Sequence, residues 1–167
     1  MSDVGATLSS IIAIGIGASL VLDAWVWLRQ RWLGVPPLDY GRVGRWAIGL
    51  VRGRFDAGRT GGAVTAGEAV VGWLIHFLTG VVFAGVLIAI TGPGWLQDPT
   101  PGAALMVGVA TVLAPFLVLQ PALGAGVAAS RTPMPWLSRL HSVVSHAVFG
   151  LGLYASARLL AVVMTRV

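Results

Sequence analysis

Cysteine and lysine are both absent from the 167 residues, and charged side chains make up only 10%. Without cysteine there is no disulfide framework, no thiolate metal site and no cysteine nucleophile. A soluble domain is usually about a quarter charged, so this composition argues against a water-soluble globule. Disorder is excluded too, because it needs low hydrophobicity together with high net charge. Also missing are a phosphate-binding glycine loop, a nucleophile elbow and a metalloprotease helix motif, so no motif points to an enzyme, and chemistry inside the membrane is the one enzymatic reading left open. What it has in quantity is apolar: 56% of the residues, with 23 glycines and seven tryptophans. All eleven basic residues are arginine, set against six acids for a net charge of +5. They cluster beside apolar runs, where anionic lipid headgroups rather than nucleic acid are the expected partner.

A hydrocarbon layer of roughly 30 Å needs about 20 apolar residues in a helix. Four segments meet that length, at about 8–28, 66–90, 101–129 and 138–164, in one all-α transmembrane domain covering 1–167. Thr65-Ala66-Gly67-Glu68 has capping-box spacing, and Thr100-Pro101 places a cap residue before a first-turn proline. Asp3 stands where a signal peptide would be basic, and Trp25 and Trp27 stand where cleavage needs small residues, so the first span is expected to stay.

Arginine counts set the expected orientation. The loop 29–65 holds Arg29, Arg31, Arg42, Arg45, Arg52, Arg54 and Arg59, and the loop after span three adds Arg131 and Arg139. The other side has only Arg166. Both basic loops are therefore expected in the cytoplasm and both termini on the outer side. Trp32, Trp95 and Trp136 lie at span ends, where interfacial anchors are expected. In the first loop Val43, Trp46, Ala47, Leu50 and Val51 recur at helical spacing, which suits an interfacial helix, although Gly41, Gly44, Gly49 and Gly53 weaken it.

Ionisable groups inside a bilayer are costly and mark candidate sites. Asp23, His76, Gln120 and His146 give each span one polar residue, each within about 9–15 Å of its cytoplasmic end at 1.5 Å per residue. They form the candidate site for a proton, cation or small solute. Pro115, Pro121, Gly124 and Gly126 are expected to break the third span, as in transporter binding sites. Two other chemistries stay open. Asp23, His76 and His146 would serve as an N/N/O metal site, and His76 and His146, each four residues before a glycine, would serve as haem ligands. No cofactor is required by the sequence. In the competing reading the layer is interhelical glue in an accessory or assembly subunit. His76 to Gly80 and His146 to Gly150 also suggest a weak internal repeat. Small residues such as Gly80 and Ala84, or Ala104 and Gly108, point to close helix contact within the chain or in a homo-oligomer.

Three stretches carry a resemblance. They are Gly34-Val35-Pro36 with Leu38-Asp39-Tyr40 and Gly44-Arg45-Trp46; Gly72-Trp73 with His76; and the run from Pro115 through Gln120-Pro121, Gly124-Ala125-Gly126 and Ser130-Arg131-Thr132-Pro133 to His146 and Gly150-Leu151-Gly152-Leu153-Tyr154. Together they resemble a bacterial inner-membrane family, domain-of-unknown-function family 2938. The resemblance implies a small four-span protein of the bacterial inner membrane, whose outer side, and so both termini, is the periplasm; it transfers no substrate, cofactor or catalytic residue.

Overall fold

The computed structural model describes residues 3–164, and no strand occurs among them. Arg166, counted above on the outer side, lies outside the described residues. The helices are α1 (Asp3–Leu33), α2 (Tyr40–Val51), α3 (Ala66–Thr91), α4 (Pro101–Ala110), α5 (Gln120–Ala122) and α6 (Pro135–Met164), with a π-helical turn at Pro115–Leu119. Four stretches are long and apolar enough to cross a membrane: Val4–Leu33, Ala66–Thr91, Pro101–Ala122 and Pro135–Met164. The chain gathers into two compact units. One holds the chain up to Val35, Phe77–Thr111 and the chain from Val144; the other holds Pro36–His76 and Val112–Val143.

The first unit is a four-helix bundle built on small residues. Lipid tails are as apolar as leucine, so helices in a membrane associate by close van der Waals packing, not by escape from water. A Cβ on Gly15 of α1 would meet the Val81 and Gly80 backbone of α3, and one on Gly108 of α4 would meet the Gly150 backbone of α6. A Cβ on Gly152 would sit 3.0 Å from Ala18 Cα of α1. The His-x-x-x-Gly repeat thereby gains a physical meaning: Gly80 and Gly150 occupy equivalent crossings, each against the preceding span. Phe83 and Phe149 meet edge to face at 6.1 Å, and Ile14, Leu87 and Leu153 fill the core between the crossings.

Two expectations are corrected in this unit. Span one runs past residue 28 to Leu33, so Arg29 and Arg31 belong to α1 and not to the loop. Gly34, at φ 64°, ends the helix, with its N–H bonded to Gln30 O at 3.1 Å. Trp95 is no interfacial anchor, being only 8% exposed with its indole N–H donating to the Thr100 hydroxyl at 3.2 Å. Trp32 and Trp136 remain well exposed. Arg158 and Asp98 approach to 3.7 Å, but both are exposed, so the pair adds little.

The second unit is built around α2 and the start of α3. Asp39 caps α2, its Oδ1 accepting from Gly41 N at 2.9 Å and Arg42 N at 3.3 Å. The expected loop helix is present, and its glycines are the reason it packs. A Cβ on Gly44 would meet the Glu68 carbonyl of α3, and one on Gly72 would meet the Tyr40 carbonyl. The capping box at α3 is formed in both directions: Thr65 N donates to Glu68 Oε2 at 2.8 Å and Glu68 N to Thr65 Oγ1 at 3.3 Å.

Span three ends at Ala122 and not at residue 129, so Gly124 and Gly126 lie beyond the helix and do not break it. Pro115 opens the π turn instead, where the ring, with no N–H to give, is accommodated by a wider helical turn. The chain then returns through a loop with left-handed backbone at Ala128 (φ 46°, ψ 48°) and Ala129 (φ 58°). Each such alanine costs roughly 1–2 kcal/mol, against about 0.5–1 kcal/mol of extra backbone entropy lost by glycine. Ala128→Gly is therefore expected to stabilise the protein by about 0.5–1 kcal/mol, read as a higher melting midpoint in detergent. A lower midpoint would show that the loop is not strained there.

Candidate functional site

The four polar residues of the spans divide evenly between the units: Asp23 and His146 fall in the first, His76 and Gln120 in the second. Each is only half-buried. Among the described residues no group of three His, Asp or Glu side chains is placed to hold a metal ion.

His146 sits on α6 opposite Thr111, whose Oγ1 lies 2.8 Å from His146 Nδ1. The threonine hydroxyl has one proton and gives it to Gly108 O at 2.5 Å. The imidazole must then donate from Nδ1, which leaves Nε2 as the lone-pair acceptor. The glycines that make room beside both histidines in the haem reading are filled by neighbouring backbone: Gly80 faces Gly15 O and Gly150 faces Ala104 O, each at 2.8 Å from a hypothetical Cβ. That packing removes the support the two glycines gave to haem.

One residue before His146, Ser145 Oγ accepts from Trp25 Nε1 and from Arg29 Nη1, both at 3.3 Å. Arg29 Nε is buried with no partner among the described residues. An arginine drawn in among the helices was not expected from the sequence, where it read as a loop charge. Its only sequence signal is its place in α1, exactly one turn beyond Trp25.

In the second unit His76 lies against Tyr40 and Trp73, with ring centroids at 4.5 and 5.6 Å, and Tyr40 also meets Trp73 at 4.5 Å. Two of the sequence signatures, far apart along the chain, thus meet as one aromatic cluster. Gln120 follows the π turn, and its Nε2 donates to Ser142 Oγ at 3.2 Å. Ser142 gives its own proton to Ser138 O at 2.9 Å, so it can only accept from the glutamine. This fixes the amide orientation and leaves Gln120 Oε1 buried with no donor among the described residues.

The arginines of the first loop meet protein before they meet lipid. Arg42 Nη2 donates to Gly58 O at 3.0 Å and Leu123 O at 3.1 Å, and Arg59 donates to Pro121 O at 2.9 and 3.2 Å. Carbonyls at a helix C-terminus lack intrahelical donors, and cations there also complement the helix dipole. Arg45 forks onto Glu68 at 2.8 and 3.0 Å and donates to Ala63 O at 2.6 Å. The Glu68 hydrogen bonds hold the Arg45 guanidinium above its ordinary pKa.

Apolar helices of membrane-crossing length, packed through small residues and carrying a few half-buried polar groups, define a helical multi-pass membrane protein. A family model described as a protein of unknown function (DUF2938) matches residues 12–160. The chain belongs to that family. No curated protein and no solved structure matches it.

Proposed function

We propose that the protein is a small carrier or channel of the bacterial cytoplasmic membrane that binds a proton, a cation or a small hydrogen-bond-donating solute. Gln120 Oε1 carries this reading. A buried acceptor left without a donor costs roughly 1–3 kcal/mol, and a membrane offers little water to offset it. A solute that brings a proton or positive charge removes that cost. The π turn before Gln120 supports the same reading, because such turns recur where a helix is shaped for function. Asp23, His76 and His146 are among the titratable groups that the other spans carry, and His146 Nε2 is a second acceptor.

The expected result in proteoliposomes is that Gln120→Leu, Asp23→Asn and His146→Ala each lower flux at least tenfold while helical content is unchanged. Unchanged flux in all three would reject the proposal. The competing reading, an accessory subunit with structural polar groups, is favoured by the bond that joins Thr111 to His146 Nδ1 between two helices. Co-purification with a membrane partner, with no flux for any cation or proton, would establish it. Both termini are proposed to face the periplasm, which reporter fusions to the C-terminus check directly.

A further inference from the structure

Five arginines lie between residues 40 and 65, and three of them, Arg42, Arg45 and Arg59, are held by carbonyl or carboxylate oxygens. The guanidiniums of the other two, Arg52 and Arg54, have no hydrogen bond or ion pair among the described residues, and both side chains belong to the lining of one cleft of about 280 Å³. Arg45, Thr60, Gly61 and Glu68 line the same cleft. Its single carboxylate is fully engaged, with Glu68 Oε1 and Oε2 on Arg45 and Oε2 also accepting from Thr65 N. Arg45 and Glu68 therefore cancel, and the cleft keeps two positive charges with ten N–H donors that meet no protein acceptor among the described residues.

Two uncompensated guanidiniums in one concave site repel each other, and an anion with several oxygens removes that repulsion. Arginine presents a planar fork that matches phosphate oxygens two at a time. A volume of about 280 Å³ admits a phosphate and a small substituent. We propose that the cleft at the end of α2 is a binding site for a phosphate group, held between Arg52 and Arg54. The site is independent of the acceptors at Gln120 and His146, and it gives the cationic loop a defined ligand. Phosphate can arrive free in the aqueous phase or on a lipid headgroup, and the two sources differ in how they are presented.

The test uses the full chain in detergent, titrated with inorganic phosphate, and in nanodiscs of phosphatidylcholine with and without phosphatidate. Binding is read by calorimetry in the first arm and by phosphatidate retention after exchange into phosphatidylcholine in the second. Arg52→Gln/Arg54→Gln is expected to weaken binding at least tenfold, with an unchanged melting midpoint in the absence of ligand. Arg31→Gln, an exposed arginine outside the cleft, is expected to leave it unchanged. Saturable binding of inorganic phosphate identifies a free anion as sufficient; retention of phosphatidate alone identifies the headgroup. Binding in neither arm overturns the proposal, as does equal loss in Arg31→Gln or full binding by the double variant. Should the double variant melt early, Arg52→Lys/Arg54→Lys keeps the charge and loses the fork, and undiminished affinity there would equally overturn it.

Discussion

Gly72→Ala is expected to lower the melting midpoint by roughly 6–12 °C, equivalent to about 3 kcal/mol for a chain of this size. The added methyl would meet the Tyr40 carbonyl, a backbone group that cannot rotate away. It could be accommodated only by lifting α2 off α3, and α2 carries the Asp39 cap, the Tyr40 ring beside His76 and the Arg45 fork on Glu68. The effect therefore extends past one contact: Trp73 and His76 lose their aromatic neighbour as well. Gly67→Ala is the control. Nothing lies within 4 Å of its Cβ, and it sits in the first turn of the same helix. That substitution is expected to be neutral or to stabilise by up to about 1 kcal/mol through helix propensity. Thermal unfolding in detergent checks both. Equal midpoints for Gly72→Ala and the native protein would mean that the two helices do not approach as closely as their glycines allow.

The same glycines show where the sequence could be read and where it could not. Helix length and apolarity are summed locally, so four spans were visible, as were the reciprocal Thr65 and Glu68 cap and the periodicity of α2. The glycines of α2 were read through propensity alone, as a weakness. Their effect depends on Glu68 and Gly72, which sit on a different helix, and no local pattern reports that pairing. Pro115 and Pro121 marked an irregular third span, but proline chemistry does not distinguish a π turn from a break.

The candidate site divides along similar lines. Polar residues stand out in an apolar helix, so Asp23, His76, Gln120 and His146 were legible one by one. The hydroxyl partners of His146 and Gln120 were not, because Thr111 and Ser142 are ordinary in composition and matter only through the single proton each can give. The arginines misled in the opposite direction. Their number gave an orientation, yet Arg42 is bonded to the Leu123 carbonyl and Arg59 to the Pro121 carbonyl, so part of the charge counted toward lipid works inside the protein.

Arg45→Ala is expected to raise the rate of tryptic cleavage after Arg52, Arg54 and Arg59 by tenfold or more in the folded, detergent-solubilised protein, with a much smaller change in the melting midpoint. Cleavage of a native chain requires local opening, and local opening follows how few bonds hold a segment. The segment Thr60–Ala63 is exposed, and Arg45 donates to each of its carbonyls, at 3.2 Å to Thr60 O, 3.3 Å to Gly61 O, 3.4 Å to Gly62 O and 2.6 Å to Ala63 O. Alanine removes all four bonds and the fork onto Glu68 together. Arg45→Lys should fall between the two, since an ammonium keeps the charge but cannot span a carboxylate and a row of carbonyls at once. Glu68→Gln should open the segment least, because the carbonyls keep their donor and the amide can still accept one bond from Arg45. That order, alanine above lysine above the Glu68 variant, separates a peg from a simple ion pair. If neutralising Glu68 exposed the loop as much as removing Arg45, the charge pair alone would be holding it and the carbonyl bonds would contribute nothing.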